Sequence, residues 1–204
     1  IKLETLKLLP TRPDWASSIL PDWNISENGA WDRLDTFLVH GLKGYAEYRN
    51  RPDCDNISRL SPYLRFGMIS PRQVWHAAVA ACASNRSHAS DKDLSTFQSE
   101  LGWREFSYHL LYHNPDLARR NYQSRFDDFP WIENTAHLKA WQKGRTGYPI
   151  VDAGMRELWQ TGFMHNRVRM IAASFLIKHL MIDWRIGEAW FWDTLFDADW
   201  ASNP

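Results

Sequence analysis

Apolar residues in this chain return every three or four positions, and no run alternates long enough to make a half-buried strand. That regularity restricts the fold to packed helices. It is clearest after Gly162, where Val168, Ile171, Phe175, His179 and Ile182 mark the inner face of a buried helix. Trp31, Leu34, Leu38, Leu42 and Tyr45 step the same way and predict a helix closing near Tyr48. Ser70-Pro71 is a start signal, a hydroxyl cap followed by a ring suited to the first turn, and Val74, Ala77, Ala78 and Ala81 continue that helix. Asp91 can cap a long helix through Leu94, Phe97, Leu101 and Tyr108, stopped at Asn114-Pro115. Helices over 151–161 and 188–196 complete the set, and 115–148 reads as irregular. The fold class is all-α, and 204 residues suffice for one domain with a substantial core.

Residues 1–27 hold Pro10, Pro13 and Pro21 and little periodicity, so they read as a linker or arm from an upstream domain, leaving 28–204 as an incomplete helical domain. The start at Ile1 and the stop just after a polar loop suggest a fragment. With 24 basic and 24 acidic residues the formal charge is zero, which excludes a globally cationic polyanion binder but leaves room for a local basic patch. Two cysteines, Cys54 and Cys82, make no disulfide framework and fit a reducing cytoplasm. No signal peptide or run of eighteen apolar residues points to a membrane. Twelve tryptophans are many for this length. They fit either a tryptophan-rich core or surfaces for stacking and electron transfer.

The chemistry-bearing residues fall in a few short stretches. Asn166, Arg167 and Arg169 open the helix after Gly162, with groups that suit phosphates, carbonyls and carboxylates. One helix later Asp197, Asp199 and Asn203 lie within seven residues. Such a helix start facing such a loop fits a polar, anionic, heteroaromatic ligand. Ser58-Arg59-Leu60-Ser61 offers two hydroxyls and a guanidinium for a pyrophosphate, although an ordinary turn explains it as well, and no Gly-x-Gly-x-x-Gly or P-loop competes. Glu100, Trp103 and Arg104 share a helix face that could grip a base or could be a solvated ion-paired surface. Glu105, His109 and His113 have metal-compatible spacing, but nothing completes a ligand set, so they read as structural and no metal is expected. By spacing alone Trp131 and Trp184 are core residues.

Together these segments resemble the flavin-binding helical domain of the DNA photolyase and cryptochrome family. The resemblance is carried by Ser58-Arg59-Leu60-Ser61-Pro62-Tyr63-Leu64-Arg65-Phe66-Gly67 with Ile69-Ser70-Pro71-Arg72, and by Glu100-Leu101-Gly102-Trp103-Arg104-Glu105-Phe106. It continues in Trp141-Gln142-Lys143-Gly144 with Thr146-Gly147-Tyr148-Pro149-Ile150-Val151-Asp152-Ala153, in Met164-His165-Asn166-Arg167-Val168-Arg169-Met170, and in Asp197-Ala198-Asp199-Trp200-Ala201-Ser202-Asn203.

The resemblance implies light-driven repair of cyclobutane pyrimidine dimers in DNA by electron transfer from reduced FAD, with the damaged bases flipped into the pocket. It implies FAD contacts from Tyr48, Ser58, Arg59, Leu60, Ser61, Arg104, Asn166, Arg169, Asp197, Ala198, Asp199 and Asn203. Glu100, Trp103 and Met170 would line the dimer pocket, Arg51 and Arg167 would reach DNA phosphates, and Trp131 and Trp184 would relay electrons. Asn203 resembles a photolyase rather than a cryptochrome, and Asn166 after His165 resembles the cyclobutane-dimer class, closest to class I. Ile57 stands where the family commonly carries Thr, which removes one phosphate-binding hydroxyl, and Phe163 and Trp200 are further departures. A second, antenna chromophore of folate or deazaflavin type would sit in an upstream domain, and the whole would act as a cytoplasmic monomer. The alternatives are a cryptochrome-type photoreceptor signalling through partners, and a helical interaction module without flavin. A yellow protein excludes the module, and light-dependent repair separates photolyase from cryptochrome.

Overall fold

The computed structural model describes every residue except 1, 2, 9–11, 13, 18 and 204. The described residues form helices joined by turns, with no strand among them. Their order is α1 (Glu27–Thr36), α2 (Tyr45–Tyr48), α3 (Ser61–Arg65), α4 (Pro71–Ala83), α5 (Asp91–His113), α6 (Thr135–Gln142), α7 (Pro149–Thr161), α8 (Asn166–Ser174) and α9 (Trp184–Thr194). Both α1 and α8 run on into a wider π turn, Phe37–Gly41 and Phe175–His179.

Capping explains most boundaries. Ser70 Oγ accepts from Gln73 N while Gln73 Oε1 accepts from Ser70 N, and Pro71 occupies the first turn as predicted. On α5 the cap is Ser90 rather than Asp91, reciprocated by Asp93. Gly162 ends α7 at φ +68, a left-handed position that favours glycine. Three expectations fail locally. The helix predicted to run from Trp31 to Tyr48 is interrupted after Gly41, where Gly44 at φ +77 turns the chain and starts the single turn of α2. α6 lies inside the stretch read as irregular, capped by Asn134, whose Oδ1 accepts from His137 N at 2.9 Å. α9 begins at Trp184, capped by the Asp183 carboxylate, rather than at Glu188.

Two apolar clusters hold the helices. One joins Leu34, Phe37, Leu38, Leu42, Tyr45, Leu60, Tyr63, Val74, Phe97 and Leu101, from α1 through α5. The other joins Trp141, Val151, Met155, Leu158, Met164, Val168, Phe175, Leu176, Ile182 and Phe191, from α6 through α9. Within the second, α7 and α8 approach closely because residue 154 lacks a side chain: a Cβ on Gly154 would stand 2.3 Å from Val168 Cγ1. Trp23 ties the clusters together. Its Nε1 donates to the Thr161 carbonyl at 2.9 Å, and its ring packs against Tyr63, Phe163 and Phe196.

The tryptophans do not form a tryptophan core. Trp141 is fully buried, with Nε1 donating to the Ala172 carbonyl at 3.0 Å, whereas Trp15, Trp31, Trp75, Trp103, Trp159 and Trp200 are exposed. Trp131 and Trp184 are half-buried and belong to neither cluster, which corrects their reading as core residues.

Candidate functional site

A cavity of about 520 Å³ opens along the seam between the two clusters. Four segments supply its walls: the end of α2, the loop 57–61 leading into α3, the middle of α5, and the start of α8 with the loop 197–203. Arg49, Arg59, Arg65, Arg104, Arg167 and Arg169 stand around it, with Glu100, Asp197 and Asp199 among them. A larger apolar groove beside Trp23 has aspartates but no lysine, arginine or histidine in its lining, so it offers nothing to a phosphate.

One wall is an ion pair. Arg169 Nη1 and Nη2 donate to Asp197 Oδ1 and Oδ2 at 2.9 and 2.8 Å, and its Nε donates to the Met164 carbonyl at 2.7 Å. Each of the three guanidinium nitrogens is therefore engaged, and the Asp197 side chain is only 4% exposed. The Phe163 ring has two cations over it, Arg59 at 5.2 Å and Arg169 at 5.4 Å from its centroid.

Asp199 organises the neighbouring loop. Its Oδ1 accepts from Ala201 N at 2.8 Å and Ser202 N at 3.1 Å, while Oδ2 accepts a short hydrogen bond from the Tyr108 hydroxyl. Arg65 Nε lies 3.6 Å from the same oxygen and donates to the Ala198 carbonyl at 2.6 Å. Asn203 is fixed twice, with Oδ1 accepting from Asp199 N at 3.2 Å and its own N donating to the Asp199 carbonyl at 3.1 Å. Burial, and then the hydrogen bond to Asp199, pushes the Tyr108 hydroxyl above its usual range, so it is a proton donor at neutral pH. Arg104 stacks over the Tyr108 ring at 4.7 Å.

At the mouth, Arg49 Nη2 pairs with Glu100 Oε2 at 2.5 Å, and Arg167 Nη2 donates to Asn50 Oδ1 at 2.7 Å. Trp103 is 63% exposed and Met170 53%, so both present open apolar surface there. His165 is buried and caps α8, its Nδ1 accepting from Arg167 N at 3.1 Å. Burial, and then the charges of Arg167, Arg169 and Arg49 around it, hold its imidazole below the ordinary histidine range, although the nearby Arg49 backbone pulls the other way.

Of the residues singled out in the sequence, Ser58, Arg59, Leu60, Ser61, Glu100, Trp103, Arg104, Asn166, Arg167, Arg169, Met170, Asp197, Asp199 and Asn203 all border this cavity. Tyr48 and Arg51 do not. Tyr45 and Arg49, four residues apart on the same side of α2, stand there instead, while Arg51 pairs with Asp53 on the surface. Ala198 contributes its carbonyl to Arg65 rather than a wall. Trp131 and Trp184 lie outside the cavity. Ile132 N donates to the Met181 carbonyl at 2.7 Å, which lays residue 131 beside the start of α9, and Trp184 Nε1 donates to Asn121 Oδ1 at 2.8 Å. Glu105, His109 and His113 do not make a metal site, and no such group occurs among the described residues. Arg65 lay within the Ser58–Gly67 stretch but was not singled out, and Tyr108 and Tyr45 were marked only by helical periodicity.

Residues 97–204 match the model of the FAD-binding domain of DNA photolyase, more than half of the chain. The chain belongs to that family. A deoxyribodipyrimidine photo-lyase of Agrobacterium fabrum is 55% identical over 202 residues, 99% of this chain and 41% of the relative. The crystal structure of a bacterial class III photolyase from Agrobacterium tumefaciens superposes with a TM-score of 0.92 at 55% identity, covering all of this chain and 41% of that one. Cryptochrome-1 of Arabidopsis thaliana is 39% identical over 186 residues, 90% of this chain and 27% of the relative. The chain thus spans about two fifths of the length of its photolyase relatives.

FAD is the family's cofactor, and the residues present fit it. The cavity combines a cationic, hydroxyl-bearing loop at 57–61, a directed Arg169–Asp197 pair, and a loop of hydrogen-bonding groups at 197–203. A dinucleotide with an anionic diphosphate and a polar tricyclic ring needs that donor set.

Proposed function

We propose that the protein of which this chain is a domain repairs cyclobutane pyrimidine dimers in DNA under light. One observation carries the reading: a diphosphate-suited loop, a buried arginine–carboxylate pair and a rim of half-buried Glu100 with exposed Trp103 and Met170 converge on a single cavity. The 55% identity to photolyases over the full chain supports it. It also favours class III, the class named for the Agrobacterium structure, over the class I expected from the sequence.

In this reading bound FAD supplies a light-driven electron donor. Ser58, Arg59 and Ser61 hold its diphosphate and ribityl chain, with Tyr45 and Leu60 packing beside them. Arg104, Asn166, Arg169, Asp197, Asp199 and Asn203 orient the ring. Because Tyr108 donates to Asp199, that carboxylate keeps a fixed orientation, and so does the backbone carrying Asn203. Trp103 offers a stacking face for the displaced bases, and Glu100 a hydrogen-bond acceptor. Arg167 takes a DNA phosphate, joined by Arg49 in the place expected of Arg51. Trp131 and Trp184, outside the cavity, would serve as an electron relay toward it. An antenna chromophore of folate or deazaflavin type belongs to a part of the protein outside this domain. The protein acts as a monomer in the cytoplasm; no helix among the described residues is long and apolar enough to cross a membrane.

The second reading, a cryptochrome-type photoreceptor, is favoured only by the identity to cryptochrome-1. The test is binding by the purified intact protein. Repair predicts one FAD per chain and tighter retention of dimer-containing than undamaged oligonucleotide. FAD with no preference for damage supports the photoreceptor, and absence of FAD removes both.

A further inference from the structure

Arg33, on α1, stands outside the cavity yet holds one of its walls from behind. Its Nε donates to the Ser58 carbonyl at 2.8 Å and its Nη2 to the Ile57 carbonyl at 3.3 Å. A guanidinium fork on two consecutive carbonyls fixes both peptide planes. In a trans peptide the N–H points opposite to the C=O. Drawing the Ile57 and Ser58 carbonyls toward α1 therefore turns the N–H groups of Ser58 and Arg59 to the other side of the loop.

The next residues continue the arrangement. Arg59 is left-handed, at φ +51, and Leu60 follows at φ −87, ψ −9. Successive left- and right-handed residues make a concave run of N–H groups of the kind that holds anions. A non-glycine residue there is strained and persists only when its surroundings fix it. Arg33 on one side and the Phe163 ring under the Arg59 guanidinium on the other supply that constraint.

Charge points the same way. Burial, and then repulsion from Arg59, holds the Arg33 guanidinium below its usual range, with Asp55 and Tyr63 offsetting only part. Two cations flanking one loop favour a multiply charged anion against it.

We propose that Arg33 is a positioning residue that pre-forms the 57–61 loop for the diphosphate of the dinucleotide. This rests on the reading of the cavity as an FAD site. Arg33 touches no ligand; it acts through the backbone of Ile57 and Ser58.

The experiment uses the intact protein stripped of flavin and titrated with FAD, as wild type, Arg33→Met and Arg33→Lys. Fluorescence gives the affinity, and ³¹P resonances and the visible flavin band are recorded at saturation. Arg33→Met should weaken FAD about tenfold, or about 1.4 kcal/mol. Arg33→Lys, which keeps the charge but not the fork, should weaken it about threefold. In both, the diphosphate ³¹P resonances should move while the visible band keeps its shape. If Arg33→Met does not fold, Arg33→Lys decides alone. An affinity within twofold of wild type for Arg33→Lys overturns the proposal, as does a visible band that changes together with the ³¹P resonances. Wild-type protein that takes up no FAD refutes the cofactor reading instead.

Discussion

Replacing Asp197 by Asn removes one charge from the cavity while keeping the shape of the side chain and one acceptor. Arg169 would then retain the Met164 carbonyl and a single amide oxygen in place of two carboxylate bonds at 2.9 and 2.8 Å. Arg169 is 21% and Asp197 4% exposed, so water cannot replace the lost partner fully. Breaking a buried pair costs about 3–5 kcal/mol, most of it from the charge left alone. At about 2–4 °C per kcal/mol for a domain of this size, melting should fall by roughly 6–20 °C. Arg169→Met should cost a comparable amount. The double variant strands no charge and should be more stable than the sum of the single losses predicts. Thermal unfolding of all four proteins, with bound-flavin absorbance read in parallel, measures the coupling. FAD should be held loosely in both single variants and not be restored in the double. Additivity within about 0.5 kcal/mol would show that the residues are not coupled and that this wall is misassigned.

Trp103→Ala should weaken dimer-containing DNA by roughly one to two orders of magnitude, since base–aromatic stacking is worth about 1–3 kcal/mol per base. Undamaged DNA should lose far less, and equal losses in a binding titration would make the indole structural only. Trp184→Phe should leave flavin content intact and slow photoreduction sharply; an unchanged rate at equal occupancy ends the relay assignment. His165 is held below its ordinary pKa by burial, so above about pH 6.5 it is neutral whether folded or unfolded. Below that, the unfolded chain takes up a proton that the folded one resists, and stability falls by at most about 1.4 kcal/mol per pH unit. His165→Asn, which keeps an acceptor for Arg167 N, should flatten the melting profile between pH 6.5 and 5, and an unchanged slope would assign the loss to other groups.

Some helix starts and stops were legible from a cap, whereas the Asn134 and Asp183 caps of α6 and α9 were passed over. Ser70 before Pro71 and Gly162 after Thr161 mark real ends because a hydroxyl, a fixed φ and a left-handed position each have a local cause. α2 was not legible. One turn has no periodicity to set its phase, so the sequence alone could not prefer Tyr45 and Arg49 over Tyr48 and Arg51. α6 spans eight residues, with Trp141 alone fully inside, too short to stand out from loop. Within the site, most motif residues lie at a helix start or in a loop beside one, while Glu100, Trp103 and Arg104 reach the cavity from the middle of α5. The residues that hold them do not announce themselves. Tyr108 meets Asp199 across 91 positions of sequence, and Arg33 meets Ser58 across 25. Contacts at that distance are made by packing and leave no local pattern.

The central claim is most directly tested by illuminating the intact protein with a synthetic oligonucleotide carrying one cyclobutane thymine dimer. A parallel sample carries a (6-4) photoproduct, and each has a dark control. The account predicts loss of the cyclobutane dimer, with recovery of the intact thymines, in blue light only, and no change in the (6-4) lesion. A flavin-loaded protein that leaves the cyclobutane dimer untouched in light would contradict it.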